Sequence, residues 1–169
     1  MIGYNHQMTP GETMYELEKR PAHPTDAASV VTWFPTRTEA LLWGGPNVPD
    51  PLTSPWLEQE FQKHKYWVWV DRTGAIQGVF ALVLRDEGLL RLARFALSPS
   101  LRGQRLSKRL VEETIALARS LGAKRMSLAV YGSNRIARHV YDSVGFRVFE
   151  ERIAQENPSV VSYEMRLDF

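Results

Sequence analysis

The feature that most constrains this chain is an apolar run that stops at a basic, glycine-containing turn. The run Leu89–Leu97 ends at Ser98-Pro99, and the turn over residues 102–107 opens a long amphipathic segment. This order predicts a strand that leads directly into the N-terminus of a helix. That helix carries its apolar residues at helical spacing and ends at Gly122, and the predicted stripe is Leu106, Leu110, Thr114, Leu117 and Leu121.

The start of this helix has two interpretations. The first N–H groups of a helix have no intrahelical acceptor, and its dipole places about half a positive charge there. Arg102, Arg105, Lys108 and Arg109 add full charges around the turn. The turn therefore predicts either a site for a phosphate-bearing ligand or an ordinary strand-to-helix connection with a solvated basic face.

The length and composition fit one globular domain over residues 1–169. A chain of this length buries roughly 70% of its unfolded surface, and 44% hydrophobic and 24% charged residues are typical of globular proteins. There is no cysteine, which excludes disulfides, thiolate zinc sites and a cysteine nucleophile. We expect a cytoplasmic protein without a metal, and a loose lead-in over residues 1–12.

Nucleic-acid and membrane binding are not expected. A net charge of +2 is too small to indicate a nucleic-acid partner by itself. The longest purely apolar run, residues 79–84, is far shorter than the ~20 residues of a membrane-spanning helix. The N-terminus lacks a basic segment followed by an apolar core, so no signal peptide is predicted.

Pattern and turn residues predict the remaining elements. Three short helices precede a run of strands, and residues 66–97 form an antiparallel meander. The strand after Gly122 is expected to lie parallel to the run Leu89–Leu97 because a helix connects them. The first predicted strand, at 14–19, is ended by Pro21 and Pro24. The three helices that follow run from Thr25 or Asp26 to Trp33, at 38–43 and at 56–64. Four strands are then predicted at 66–70, 76–84, 89–97 and 125–130, followed by a helix at 134–143 and by strands at 146–153 and 160–167.

A second constellation lies on the helix at 134–143. Asn134, Ala137 and Tyr141 are spaced i, i+3 and i+7, which places them on one face, whereas His139 points elsewhere. A small residue between an amide and a phenol lets a flat ligand pass close to the helix. The alternative is that Tyr141 is a packed aromatic and Asn134 only caps the helix.

The two segments in this order resemble the GNAT superfamily of acyl-CoA-dependent N-acyltransferases, over about residues 66–152. In that family an Arg/Gln-x-x-Gly-x-Gly/Ala turn precedes an Asn-x-x-Ala-x-x-x-Tyr-x-x-x-Gly-Phe segment. The second segment is complete here in Asn134, Ala137, Tyr141, Gly145 and Phe146, whereas Arg105 and Ser107 replace the two later small residues of the turn opened by Arg102.

The resemblance implies an α/β (α+β) fold with a GNAT-like mixed sheet of about six or seven strands and about four or five helices. It implies a CoA-binding core at residues 89–146 and substrate-side helices and a loop at 25–64. The implied activity is direct transfer of an acetyl group from acetyl-CoA, the co-substrate, to a primary amine of a small molecule or peptide, by a monomer or homodimer.

Residue roles follow from the same resemblance. Tyr141 would protonate the leaving CoA thiolate as general acid, and Asn134, beside Ala137, would bind the pantetheine or its neighbouring backbone. A backbone N–H near Phe95, Ala96 and Leu97 would stabilise the thioester oxygen. The amides of the turn would hold the pyrophosphate with the Arg102 side chain, and Arg105 or Lys108 would reach the ribose phosphate; the turn comprises Arg102, Gly103, Gln104, Arg105, Leu106 and Ser107.

The general base is left open. Many relatives carry a glutamate on the strand where residues 91–94 offer no carboxylate. Ribosomal-protein and peptide N-terminal acetyltransferases often show one on the next strand, where this chain has Ala129. A water chain or Glu39 could substitute.

The acceptor is expected to meet the N-terminal helices and loops. Trp33, Trp43 and Trp56 could line an amine pocket, or they could simply pack the helices onto the sheet. Arg91 and Arg94 are candidate substrate contacts that would favour an acceptor with a carboxylate.

Two rival functions remain. The altered turn and the missing base favour a catalytically degenerate acyl-CoA-binding sensor or regulatory module as the alternative. Tight CoA binding without acetylation of any amine would select it. A nucleic-acid binder that uses the basic cluster at 102–109 lacks a recognised binding module.

Overall fold

A seven-stranded sheet forms the centre of the computed structural model, which describes residues 15–155 and 157–169. The strand order is β1-β2-β3-β4-β5-β7-β6, with β4 and β5 parallel and the other neighbours antiparallel. The strands are β1 (Glu18–Pro21), β2 (Tyr66–Val70), β3 (Ile76–Asp86), β4 (Leu89–Leu97), β5 (Arg125–Tyr131), β6 (Arg147–Ile153) and β7 (Val161–Asp168). The predicted mixed sheet with an antiparallel meander is confirmed.

Five α-helices cover the two faces of this sheet. They are α1 (Ala27–Val31), α2 (Arg37–Gly44), α3 (Ser54–Lys63), α4 (Ser107–Ser120) and α5 (Arg135–Ser143). One apolar core joins α4 and α5 to the sheet and contains Trp69, Phe80 and Phe146. The other joins α1 and α3 to the opposite face around Leu57 and Val79. The site described below lies between these layers.

The helix α4 buries a wider stripe than the one predicted, and the predicted Leu106, Leu110 and Thr114 belong to it. Its fully packed residues are Leu110, Val111, Thr114, Ile115 and Ala118. The inclusion of Leu121 was wrong, since this residue follows the last helical turn and is 51% exposed. Two adjacent rows of side chains pack on the sheet, so the buried face is wider than a single row.

The N-terminal elements also differ in detail from the prediction. The first strand begins at Glu18 rather than at residue 14, because Glu18 pairs with Val70, the last residue of β2. Pro21 is the last residue of this edge strand rather than its stop, and position 14 and the lead-in 1–12 lie outside the described residues. The helix expected to end at Trp33 divides into a 3₁₀ turn, Pro24–Asp26, and α1. The expectation of a single domain stays a prediction.

The hairpin between β2 and β3 is held by one carboxylate. Asp71 Oδ1 accepts from the Thr73 and Ala75 backbone N–H groups at 2.8 and 3.1 Å, and Oδ2 accepts from Gln77 at 2.7 Å. Hydrogen bonds from the side chains of Thr73 and Gln77 lower the pKa of Asp71 to about 2. The turn therefore favours the ionised carboxylate.

This carboxylate predicts a pH-dependent contribution to stability. Its folded pKa lies below the unfolded value near 4, so the contribution is complete above pH 4 and is lost as the pH falls through 2. The substitution Asp71→Asn should lower the melting temperature at pH 7, and the difference from wild type should shrink towards pH 2. Thermal melts of both proteins across this range check the prediction, and a difference independent of pH would contradict it.

Candidate active site

The site begins where two central strands separate. The parallel pairing of β4 with β5 ends at Arg91 and Ser127, although both strands continue. Beyond these residues, the facing edges of this described part of the sheet are not joined by backbone pairing. A cavity of about 390 Å³ occupies the separation, and its wall includes residues 92–97 and 128–130. We call it the strand cavity.

A bulge in β4 shapes one wall of the strand cavity. The pairing with β3 shifts register between Val79 and Ala81, so that Arg94 and Phe95 together lie opposite Phe80. Arg94 has a left-handed φ of 52°. Because a bulge turns the backbone of its strand, the segment that follows is re-aimed, and the predicted Phe95, Ala96 and Leu97 all line the cavity.

Contacts from three elements hold Arg94 in this conformation. The indole Nε1 of Trp43 donates to the Arg94 carbonyl oxygen at 2.8 Å. The guanidinium pairs with Glu60 at 2.6 Å, donates to the Tyr66 hydroxyl, and lies 5.0 Å from the centroid of the Trp56 ring. A left-handed non-glycine residue costs about 1–2 kcal/mol, and these contacts offset that cost.

The positive charge of Arg94 is balanced by the carboxylate of Glu60. Burial raises the pKa of Tyr66, and the positive charge of Arg94 opposes part of that increase. Burial alone would lower the pKa of Arg94, but Tyr66 and Glu60 outweigh it and raise that pKa. Arg94 is therefore a fixed cation beside the point where the strands part.

The turn before α4 forms an anion-binding concavity. Gly103 and Arg105 have φ values of 75° and 59°, and Leu106 returns to the right-handed helical region. Among the described residues, no acceptor is bonded to the backbone N–H of Gly103 or of residues 105–109, and the first turn of α4 has no acidic side chain. Successive N–H groups in such a turn converge on an anion, so the concavity is ready for a phosphate or carboxylate.

The predicted residues of this turn divide into two groups. Arg102, Gly103 and Ser107 line the strand cavity. The others lie outside its wall: Gln104, Arg105, Leu106 and Lys108, the last paired with Glu112 at 3.9 Å. Whether the side chains of Arg105 or Lys108 reach a ligand stays a prediction.

The Arg102 side chain also makes contacts within the protein that the sequence did not predict. Its Nε donates to the Leu97 carbonyl at 3.3 Å, and its Nη2 donates to the Trp33 carbonyl at 3.0 Å. The guanidinium lies 5.9 Å from the Phe34 ring centroid. These contacts fix Arg102 between the end of β4 and the segment after α1, with the rest of its donors available.

The family pattern has glycine where this chain has Arg105, and the backbone there is left-handed. The substitution Arg105→Gly should therefore stabilise the fold by up to about 1 kcal/mol. For a chain of this size that is about 2–4 °C in melting temperature. In Arg105→Ala the residue still has a side chain in the left-handed conformation, so this variant should show no increase in melting temperature. Equal melting temperatures for the two variants would contradict strain at this position.

The helix α5 brings its three predicted residues to one wall of the same cavity. Asn134, Ala137 and Tyr141 all line it. Asn134 is also the N-cap, since its Oδ1 accepts from the Ala137 backbone N–H at 3.2 Å. Tyr141 also packs edge-on against Phe146, with 6.0 Å between the centroids of their rings. Capping, packing and cavity lining therefore coexist on this helix.

The Tyr141 phenol is held protonated. The side chain is 9% exposed, and burial raises its pKa well above the ordinary value near 10. Its side chain lines the strand cavity. The group is thus able to donate a proton or hydrogen bond to a molecule in the cavity.

The N-terminal aromatics occupy different places. Trp43 lines the strand cavity and stacks on Phe34, with 4.4 Å between the centroids of their rings. Trp33 is buried in the core at 5% exposure and does not line this cavity. Trp56 lies against Arg94 on the other side. The Trp33 side chain therefore packs in the core, which agrees with the alternative that these tryptophans pack the helices onto the sheet.

A second cavity of about 890 Å³ meets the first at the separated strands. It lies over the sheet on the side of α2 and α3, and we call it the acceptor groove. The two cavities share Ala93, Arg94 and Ala129. The predicted Arg91 lines this groove and not the strand cavity.

Glu39 and Ala129, the two positions considered for a general base, both lie at the wall of the strand cavity. The Glu39 Oε2 accepts from the Thr36 hydroxyl at 2.7 Å and from the Thr36 backbone N–H at 3.2 Å. One Glu39 oxygen is therefore committed to capping α2. Ala129 lies at the meeting of both cavities, and its own side chain offers no carboxylate.

Sequence reasoning missed two carboxylates near the site. Glu60 contacts Arg94 from α3, and its spacing of four residues from Trp56 was an available signal that both face inward. Glu164 pairs with Arg91 at 2.8 Å from β7. It could not be found from the sequence, because its place depends on the register between β5 and β7.

Comparison with known proteins decides the family. The model of the acetyltransferase (GNAT) family matches residues 32–146, more than half of the chain. The chain belongs to the GNAT family. The resemblance inferred from the two sequence segments is confirmed, and so is the prediction of an acetyltransferase enzyme.

Individual GNAT relatives agree in fold. A candidate ribosomal protein bS18-alanine N-acetyltransferase of Bacillus subtilis (strain 168) is 26% identical over 103 residues, which cover 57% of this chain and 67% of that protein. The spermidine N-acetyltransferase of Vibrio cholerae, solved with CoA and spermine, superposes with a TM-score of 0.75 at 15% identity and covers 90% of this chain and 95% of that one. The ribosomal-protein-S5-alanine acetyltransferase of Vibrio fischeri gives 0.71 at 16% identity, with 90% and 92% covered.

Within residues 15–155 and 157–169, none of the helices has the length and apolar character needed to cross a bilayer. In the same residues, no three histidine, aspartate or glutamate side chains come together as metal ligands.

Proposed function

We propose that this GNAT protein binds acetyl-CoA in the strand cavity and transfers the acetyl group directly to a primary amine of a small molecule or peptide. The observation that carries the proposal is that one cavity at the separation of β4 and β5 joins the turn and the α5 constellation. Its wall includes Arg102, Gly103, Ser107, Asn134, Ala137 and Tyr141. A volume of about 390 Å³ lies in the range of small-molecule sites.

The turn before α4 holds the pyrophosphate of the cofactor. The free N–H groups of Gly103 and of residues 105–109 supply donors, and the helix dipole supplies partial positive charge. The Arg102 side chain adds a fixed cation, and Arg105 or Lys108 contacts the ribose phosphate. Asn134 and Ala137 leave a path for the pantetheine along α5.

The chemistry is nucleophilic attack on a thioester. The neutral amine attacks the acetyl carbonyl carbon, and the carbonyl oxygen gains negative charge. A backbone N–H from residues 95–97, presented by the bulge, donates to this oxygen. The C–S bond then breaks and the electron pair remains on the CoA sulfur. The ammonium proton passes to water or to Glu39.

Tyr141 protonates the leaving thiolate and regains a proton from water, which balances the proton that the amine gives up. Its raised pKa keeps the phenol protonated throughout the physiological range, so it serves as an acid and not as a base. The position of its side chain on the cavity wall, beside Asn134 and Ala137, supports a role towards a bound molecule.

The remaining assignments rest on composition. The protein acts in the cytoplasm, which a chain without cysteine fits. It acts as a monomer or homodimer on acetyl-CoA and an amine, without a metal, nucleic acid or membrane.

Two measurements test the proposed function. Titration calorimetry should detect binding of acetyl-CoA and CoA to the wild-type protein. Steady-state release of CoA thiol, followed with amino acids, polyamines and short peptides as acceptors, should then identify an amine that is consumed. Binding of CoA without acetylation of any amine would instead support the acyl-CoA sensor.

A further inference from the structure

The acceptor groove carries an inference about the substrate class, which rests on the proposed acetyl transfer. We propose that the acceptor is a small molecule that bears both the reactive amine and a carboxylate, and that Arg91 binds this carboxylate.

The floor of the groove is open because its residues are small. Ala81, Ala93, Ala129 and Ser162 line it on four different strands. Ala129 is exposed although it lies in the middle of a central strand. Side chains of this size leave room above the sheet, and the groove has a volume of about 890 Å³.

Arginines dominate the polar wall of this groove. Arg85, Arg91, Arg94 and Arg152 line it, and among the described lining residues Glu60 is the one carboxylate. Arg91 and Arg94 pair with carboxylates that lie deeper than they do, whereas Arg152 also pairs with Glu150, which is 46% exposed but does not line the groove. The Glu164 side chain is 5% exposed, whereas its partners Arg91 and Arg152 are 21% and 59% exposed. A molecule entering the groove therefore meets guanidinium groups before it meets carboxylates.

Arg91 is held in one orientation by Glu164. Its Nη1 and Nη2 donate to the two Glu164 oxygens at 2.8 and 3.1 Å. A guanidinium has five N–H donors, so three remain for a ligand. Glu164 in turn lies opposite Ala129 in the register of β5 and β7, and Arg152 approaches it at 3.4 Å. This fixed guanidinium suits bidentate recognition of a carboxylate.

Arg91 is close to the place where acetyl transfer would occur. Arg91 and Ala93 are on the same face of β4 and two residues apart, about 7 Å along the strand. Ala93 belongs to both cavities. A carboxylate on Arg91 and an amine beside Ala93 therefore fit one small molecule in which a few bonds separate the two groups. A polycationic amine would face the exposed arginines instead, and like charges oppose its binding.

The test compares acceptors that differ only in the carboxylate. Wild-type protein with acetyl-CoA is assayed with α- and ω-amino acids, with their C-terminal amides, and with spermidine. Loss of one charged hydrogen-bonded contact costs about 10- to 100-fold, so kcat/KM should favour acids over their amides by that factor. Amidation leaves more of the amine neutral, so reactivity alone would favour the amides. Equal or greater kcat/KM for amides or spermidine would overturn the proposal.

A paired variant separates recognition from folding. The double substitution R91Q/E164Q removes both charges and retains hydrogen-bonding groups, so no buried charge is left unpaired. It should abolish the preference for acids and leave the dissociation constant of acetyl-CoA unchanged. R91K, which keeps a charge but not the planar fork, should retain part of the preference and serves if the double variant does not fold. Retention of the full preference in both variants would overturn the role of Arg91.

A binding measurement distinguishes this inference from the proposed function. Each amino acid and its amide are titrated into the protein saturated with CoA. Acid binding that depends on Arg91, without turnover, would support the inference and contradict the proposed function. Turnover of amides without a preference for acids would support the proposed function and contradict the inference.

Discussion

Replacing Tyr141 by phenylalanine is expected to lower kcat by about 100- to 10,000-fold, the usual range for a positioned general acid. The phenol is the protonated group on the cavity wall, and burial keeps its pKa above the ordinary value. The substitution removes one oxygen and leaves the ring to pack against Phe146. The fold and CoA affinity should therefore change little, and single-turnover rates with acetyl-CoA and the best acceptor measure the loss.

The pH dependence offers an independent check on Tyr141. Since its raised folded pKa lies above 10, the acid stays protonated below pH 10. The wild-type profile of kcat should rise with pH as the amine loses its proton and should not fall below pH 10 through Tyr141. A falling limb near pH 8 that disappears in Y141F would contradict this account, as would an unchanged rate in Y141F.

Placing a carboxylate in the turn before α4 should weaken CoA binding by about 100-fold. Ser107 is the first residue of α4 and lines the strand cavity. In Ser107→Glu the new charge competes with the pyrophosphate for the free N–H groups and repels it; two charges 4 Å apart interact by about 4 kcal/mol near a protein surface, and solvent and salt reduce this. Titration calorimetry with CoA measures the effect.

The controls for this variant separate charge from size and stability. Ser107→Gln has the same length without the charge and should lose less than about 10-fold in affinity. An acidic residue in a first helical turn stabilises the helix by about 0.3–1 kcal/mol, so Ser107→Glu should not melt below wild type. Raising the salt concentration should reduce its deficit. Equal losses in both variants would indicate a steric effect and contradict an anion site.

The sequence predicted the parts of the fold that depend on local pattern. The β2–β3 hairpin, the strand Leu89–Leu97 and the parallel β5 follow from alternation, turn residues and a helical crossover, and each lies within a few residues of its predicted place. The same holds for α5, where Asn134 is the cap and Tyr141 faces the cavity. Local signals of this kind do not require knowledge of the partner element.

Features that depend on register could not be predicted. The bulge at Arg94 is visible only in the pairing of β3 with β4, and the position of Glu164 depends on its pairing opposite Ala129. The first strand was misplaced for the same reason, since the end of β2 determines where pairing starts. In α4, the width of the buried stripe depends on how the helix lies on the sheet, and Leu121 is exposed because the helix ends at Ser120.

The central claim is that the separation of β4 and β5 brings acetyl-CoA and an amine together for direct transfer. The most direct measurement is the ratio of acetylated amine, by mass spectrometry, to free CoA thiol in the same wild-type reaction. The account predicts equal amounts of the two products and a proportional loss of both in Y141F. Thiol release without acetylated amine, or CoA binding with neither product, would contradict it.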